Sequence, residues 1–181
     1  MTRLSENSCG LLIVDLQEKF VPVIRNWDST VAMSIRLIRF FQLIKAPIIV
    51  TEQYPKGLGA TVSVIRDAVG ETKALTKTTF SSCGTEELKK AIADAGRRQW
   101  VVCGIEAHVC VLQTVFDLLE LGNEVFVAVD AISSRHVTDQ AVAQDRMACA
   151  GAVLSTSESL MFEAMRDAKH PVFKHASALV K

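Results

Sequence analysis

Long apolar runs are missing from this chain of 181 residues. Stretches such as Leu11 to Val14 and Ile48 to Val50 fall far short of the roughly 18 apolar residues that a membrane-spanning helix needs, so no membrane partner is expected. One-sign charge is missing as well, because 20 basic residues balance 20 acidic ones. That leaves no basic face for a nucleic acid and no attraction to an anionic bilayer. A small neutral or mildly charged molecule is the expected partner. The five cysteines, Cys9, Cys83, Cys103, Cys110 and Cys149, are odd in number, widely spaced and without a CxxC pair. Neither a disulfide framework nor a zinc site is indicated. The opening MTRLSENSCG has no apolar core of a signal peptide, so the expected location is cytoplasmic. No GxGxxG follows the first strand and no GxxxxGK[ST] occurs, which removes the phosphate-cradling loops of nucleotide binders. Asp15 and Gln17 also fail the paired-aspartate spacing of a metal-assisted phosphatase.

What is present is 49% hydrophobic sequence in an alternating pattern, enough for one domain over residues 1–181. CGLLIVD at 9–15 reads as a strand buried on both faces and ending in an acid. From Thr30 to Ile44 a polar stripe of Arg36, Arg39 and Gln42 marks a helix lying on a sheet. Ile48 to Thr51 is a second strand, followed by the loop EQYPKGLG. A short helix over 61–69 stops at Gly70, and KALTKTTFSS holds a third strand and a loop. Thr85 caps a helix with Glu86 and Glu87 in its first turn. Trp100 to Cys103 is the fourth strand, followed by a turn and an amphipathic helix that stops at Gly122-Asn123. Glu124 to Asp130, a helix from Ser134 to Ala150, a strand at 152–154 and last helices broken at Pro171 complete the pattern. Ser155 with Glu158 reads as a capping box. The expected fold is a three-layer α/β/α sandwich around a six-stranded, mostly parallel, Rossmann-like sheet with right-handed crossovers.

Such sheets bind ligands beyond the carboxyl ends of their strands. The residues there are Asp15, Glu52, Lys77, Glu106 with Cys110, and Asp130. A nucleophilic cysteine needs positive potential and a base, and a helix N-terminus supplies part of the first. Asp15, Lys77 and Cys110 would make such a set in one cleft. Each alone has a plainer reading: a structural acid, a solvated lysine, an inert thiol.

GIEAHVCV, with LLIVDLQEKF at the first strand and KTTFSS after the third, resembles the isochorismatase-like cysteine hydrolase superfamily. TEQYPKGLG, GRRQ, DAISSR, STSESL and RDAKHPVFK extend the resemblance nearly end to end, toward the small isochorismatase-domain-containing proteins. The resemblance implies that Asp15 accepts the thiol proton, Lys77 holds the charge cluster together and Cys110 attacks a carbonyl carbon to form a thioester. It further implies a cis peptide at Ile105-Glu106, which would aim the Glu106 N–H, with that of Cys110, into an oxyanion hole. It implies a homo-oligomer, dimer or larger, and no cofactor. The metal-binding Asp-x-His of nicotinamidases is lacking, since EQYPKGLG stands in its place, so no metal is expected. Isochorismatase proper lacks the cysteine, so vinyl-ether hydrolysis is not the expectation.

Gln17, Phe20, Tyr54, Phe80 and His108 are possible pocket residues, each with a plainer reading as core, cover or rim. The Cys110 thiolate is expected below the ordinary thiol pKa of about 8.5. The function so read is hydrolysis of a small amide, carbamoyl or ester-like compound. The alternatives are a non-catalytic ligand-binding or scaffold protein of the same fold, and a redox sensor with Cys103 as the second thiol.

Overall fold

The computed structural model describes residues 3–181. Its strands are β1 (Cys9–Val14), β2 (Ile48–Gln53), β3 (Leu75–Lys77), β4 (Gln99–Ile105), β5 (Glu124–Ser133) and β6 (Val153–Ser155). They form one sheet in the order β3-β2-β1-β4-β5-β6. Every neighbouring pair is parallel, so the sheet expected to be mostly parallel is wholly so. The helices are α1 (Trp27–Leu43), α2 (Pro55–Leu58), α3 (Ser63–Val69), α4 (Glu86–Asp94), α5 (Leu112–Glu120), α6 (Val137–Cys149), α7 (Ser157–Met165) and α8 (Phe173–Ala178).

The three layers follow from the two-residue period of the strands. Leu11, Ile13, Val101, Cys103, Phe126 and Ala128 face one way and pack with α1, α3, α7 and α8. Leu12, Val14, Trp100, Val102, Val125 and Val127 face the other way, onto α4, α5 and α6. Both faces of the central strands are therefore apolar, which is why they read as unbroken hydrophobic runs.

Thr85 caps α4 as expected, its side chain accepting the Leu88 N–H at 3.3 Å. The capping box expected at Ser155 is displaced by one residue. Thr156 is the N-cap of α7 and accepts the Ser159 N–H at 3.4 Å, because Ser155 is still paired in β6. Strand β5 runs three residues beyond Asp130, after a register shift between Val102 and Gly104 on its neighbour β4. Asp130 therefore lies within the strand, where its carboxylate accepts the Ser157 N–H at 2.8 Å and hydroxyl at 2.6 Å.

The strand order reverses at β1. The chain builds outward from β1 through β2 to β3, then returns to lay β4 against the free side of β1. The carboxyl ends of β1 and β4 flank this switch point, the place where open α/β sheets bind ligands. Gly104 sets the spacing there. Its φ is +113°, and a Cβ on it would lie 2.0 Å from the Val14 carbonyl oxygen. Gly104→Ala is expected to destabilise the fold by about 3 kcal/mol or more, measured as a lowered urea midpoint, since both the dihedral and a backbone atom oppose it.

Candidate active site

Asp15 is the first residue past β1 and adopts a left-handed conformation, φ 51°, which aspartate tolerates better than most residues. Its carboxylate is fully buried, and both oxygens are engaged. The Thr51 hydroxyl donates to Oδ1 at 2.6 Å, and Lys77 Nζ donates to Oδ2 at 2.6 Å. The two charged side chains are 1% and 0% exposed. The remaining ammonium protons of Lys77 go to Gln53 Oε1 at 3.0 Å and the Phe80 carbonyl at 2.9 Å, with the Thr79 carbonyl at 3.4 Å. The loop TTFSS after β3 thus wraps the end of the lysine with its own carbonyls.

Cys110 reaches this pair from the far side of the switch point. The peptide Ile105-Glu106 is cis, and residues Ala107–Val111 form a π-helical turn that leads into α5. The Glu106 carbonyl accepts the N–H groups of Val109 and Val111, at 3.1 and 3.2 Å, and passes over that of Cys110. A regular α-helix was expected here, with the cysteine near its start. The wider π turn carries the thiol instead, leaving it 6% exposed.

This burial reverses the expectation for its charge. Burial, reinforced by the negative charge of Asp15, pushes the Cys110 thiol up to about 12, and Lys77 opposes this only in part. The resting site is an Asp15–Lys77 ion pair beside a neutral thiol. Asp15 and Lys77 are the two charged groups that act on this thiol.

The other residues singled out in the sequence divide. Gln17 is not a pocket wall. It is fully buried, its Oε1 accepts the Gln53 N–H at 2.8 Å, and its Nε2 donates to the carbonyls of Gln53 and Gly59 at 2.9 and 2.7 Å. Glu52 is likewise spent on the Thr61 N–H and hydroxyl, at 2.6 and 2.8 Å. Phe20 packs against the core. Tyr54 and Phe80 are 54% and 53% exposed, on the loops after β2 and β3. A cleft of about 420 Å³ runs between Tyr54, Thr76, Thr78 and Thr85, and of the acid, lysine and thiol only Lys77 is among its lining residues. His108 stands on the rim, with Nδ1 2.9 Å from Ser134 Oγ and Nε2 3.8 Å from Asp139. Glu106 Oε2 accepts both the backbone N–H and Nε of Arg135 at 3.1 Å, tying the end of β5 to the turn that holds Cys110.

Cys103 packs in the core on the α1 side of the sheet and Cys110 in the core on the α5 side, so the two thiols belong to opposite faces. Among the described residues no group of three or more His, Cys, Asp or Glu is disposed to hold a metal ion, and no helix is long and apolar enough to cross a membrane. Thr51, Gln53 and Arg135 were not singled out from the sequence. Thr51 and Gln53 carry a signal in hindsight, being polar residues that alternate at the carboxyl end of a central strand.

A buried acid, lysine and thiol thus meet at the switch point of a parallel α/β sheet. The Isochorismatase domain model matches residues 9–159, and the chain belongs to that family. It is 42% identical to isochorismatase domain-containing protein 2 of Danio rerio over 179 residues, 98% of this chain and 89% of the relative. The structure described as MAR1 ribonuclease of Caenorhabditis elegans superposes with a TM-score of 0.94 at 40% identity, covering 99% of this chain and 92% of that one. YcaC of Escherichia coli, described as an octameric hydrolase of unknown specificity, shares the fold with a TM-score of 0.93 at 24% identity, covering 99% of this chain and 89% of that one.

Removing one member of the buried pair leaves a charge without its partner. Lys77→Met is expected to cost about 3–5 kcal/mol in urea denaturation, and adding Asp15→Asn is expected to recover most of that loss. The thiols give a second expectation. Burial pushes Cys9, Cys83, Cys103 and Cys110 up to about 12 from the ordinary 9.0. The folded state then holds protons that the unfolded chain releases first. That stability is complete below pH 9.0 and is lost as pH rises toward about 12. The urea midpoint should be flat up to about pH 8.5 and fall steeply above it, whereas a midpoint rising with pH would contradict the assignment.

Proposed function

We propose that this protein is a cysteine hydrolase acting on a small amide, carbamoyl or ester-like compound through Asp15, Lys77 and Cys110. The observation that carries the reading is the Asp15–Lys77 contact of 2.6 Å, buried at the switch point, with the Cys110 thiol under the influence of both charges. Two opposite charges kept out of water beside a thiol are costly unless the ionic form is used.

In the proposed reaction, Cys110 Sγ forms a bond to the substrate carbonyl carbon as its proton passes to Asp15. Lys77 keeps its hydrogen bond to Asp15 throughout and offsets the negative charge of the developing tetrahedral species. The carbonyl oxygen takes that charge, and the N–H groups of Glu106 and Cys110 are assigned to receive it, donors of a kind individually worth about 3 kcal/mol. Collapse breaks the bond to the leaving amine or alkoxide, which takes the proton back from Asp15 and leaves a thioester on Cys110. Water then attacks the thioester carbon and gives its proton to Asp15. The acid departs, and the proton returns to the thiol.

An amide, carbamoyl and ester library should yield turnover with the wild-type protein and none with Cys110→Ala. Mass spectrometry should trap an acyl adduct on Cys110 and on no other cysteine. If no compound turns over, and a binding partner or ligand is held equally well by both proteins, the non-catalytic reading takes its place. Single-stranded RNA added to the same panel tests the activity carried in the name of the C. elegans relative. Under this proposal the RNA is left intact, in keeping with a chain whose 20 basic and 20 acidic residues form no one-sign block.

A further inference from the structure

Thr51 is fully buried, and it holds Asp15 at two points. Its carbonyl accepts the Asp15 N–H at 3.2 Å, and its hydroxyl donates to Asp15 Oδ1 at 2.6 Å. The direction of the second bond is fixed, because an ionised carboxylate has no proton to give. The place of the hydroxyl follows from the two-residue period of β2. Ile49 packs in the core on the α5 side and Val50 in the core on the α1 side. Thr51 therefore turns with Ile49 to the α5 side, the side on which Cys110 packs. Lys77 shares that face with Leu75 of β3.

Packing does not call for a hydroxyl at this position. Valine fills nearly the same volume and suits a central strand as well, while a buried hydroxyl costs free energy unless it is hydrogen-bonded. What the hydroxyl supplies is a second fixed point for the carboxylate. The last torsion of an aspartate, between its tetrahedral Cβ and its planar carboxyl carbon, is broad and roughly two-fold. A single donor leaves the carboxylate free to pivot about that contact. Two donors on two different oxygens fix its plane, Thr51 on Oδ1 and Lys77 Nζ on Oδ2, both at 2.6 Å. Each carboxylate oxygen still keeps a further lone pair, and the Cys110 thiol is a hydrogen-bond partner of this carboxylate.

We propose that Thr51 is a positioning residue that locks the Asp15 carboxylate about its last torsion and so keeps a free lone pair aimed at the Cys110 thiol. The inference rests on the Asp15–Lys77–Cys110 reading above and adds a fourth member to it. Asp15 is the carboxylate that acts on the sulfur. Glu106 is paired with Arg135, and His108 is turned to Ser134 and Asp139. Thr51 keeps its own proton throughout and acts only through Asp15. Without its hydroxyl the acid remains charged and remains tied to Lys77, but its plane is set by one contact and the lone pair meant for the thiol proton is no longer held in place.

The test is the S–H stretching band of Cys110 in the full chain at neutral pH, isolated as the infrared difference between each protein and the same protein carrying Cys110→Ala. A thiol bonded to a carboxylate absorbs at lower frequency than a thiol in apolar surroundings, for which ethanethiol in hexane is the reference. In Thr51→Val, and separately in Thr51→Ala, the Cys110 band should move up toward that reference. Thr51→Ser keeps the donor and should leave the band where the wild-type protein has it. An unchanged band in folded Thr51→Val and Thr51→Ala overturns the proposal, as does an equal movement in Thr51→Ser. A wild-type band already at the reference removes the contact between Asp15 and Cys110, and with it the triad reading. A wild-type band that is low and indifferent to Thr51 removes the role of Thr51 alone. For any compound of the amide, carbamoyl and ester library that turns over, kcat in Thr51→Val should fall about ten-fold with KM unchanged, because the hydroxyl reaches the base and not the substrate. Thr51→Ser should restore it, and an unchanged kcat in Thr51→Val overturns the proposal.

Discussion

The site depends on one buried ion pair. Asp15 and Lys77 are each removed from water, and the cost of doing so is of the order of several kcal/mol per ion before their attraction is counted. The surroundings are built around offsetting that cost. Thr51 serves the second carboxylate oxygen, Gln53 and the Phe80 carbonyl serve the ammonium, and no proton of the lysine or oxygen of the acid is left without a partner. A network this complete is rigid, because loosening any member strands a charge in a low-dielectric interior. The same completeness explains why Gln17 and Gln53, which have no chemistry of their own, are fixed as firmly as the groups that do.

That pair also sets the character of the thiol. A cysteine at the open end of a regular helix would draw on the backbone dipole and ionise early. Cys110 instead sits inside a π turn, nearly sealed, with a carboxylate and an ammonium both nearby. The field of one largely undoes that of the other, and desolvation decides the outcome. The charge state of the thiol then belongs to the assembly and not to the sulfur alone.

Much of this was legible in the residues. The strands read at 9–15 and 100–103, the helix from Thr85 and the stop at Gly70 follow from hydrophobic pattern, capping and the conformational freedom of glycine. The acid, lysine and thiol were reached through strand ends and sharpened by a family resemblance. Other features were not legible, for identifiable reasons. The shift of the α7 cap from Ser155 to Thr156 turns on where β6 stops pairing, a tertiary matter. The extension of β5 beyond Asp130 comes from a register shift on its neighbour β4. Gln17 was placed near the site but in the wrong role, because an amide that grips a backbone and one that lines a pocket look alike in sequence. The charge state of Cys110 required knowing its burial, which a helix-start argument cannot supply.

The strand order has a consequence for how the protein is made. β1 leaves the ribosome before the other five strands of its sheet, yet it lies inside the finished sheet between β2 and β4. Its partner on one side ends at Gln53, while its partner on the other begins at Gln99. Until Gln99 and the residues after it have been made, the apolar strand Cys9–Val14 therefore has an open hydrogen-bonding edge, the kind of surface that recruits chaperones or other nascent chains. The arrangement that places an acid and a thiol beyond the carboxyl ends of adjacent strands, 95 residues apart in sequence by their numbers 15 and 110, thus exposes the growing polypeptide before the fold can close over it.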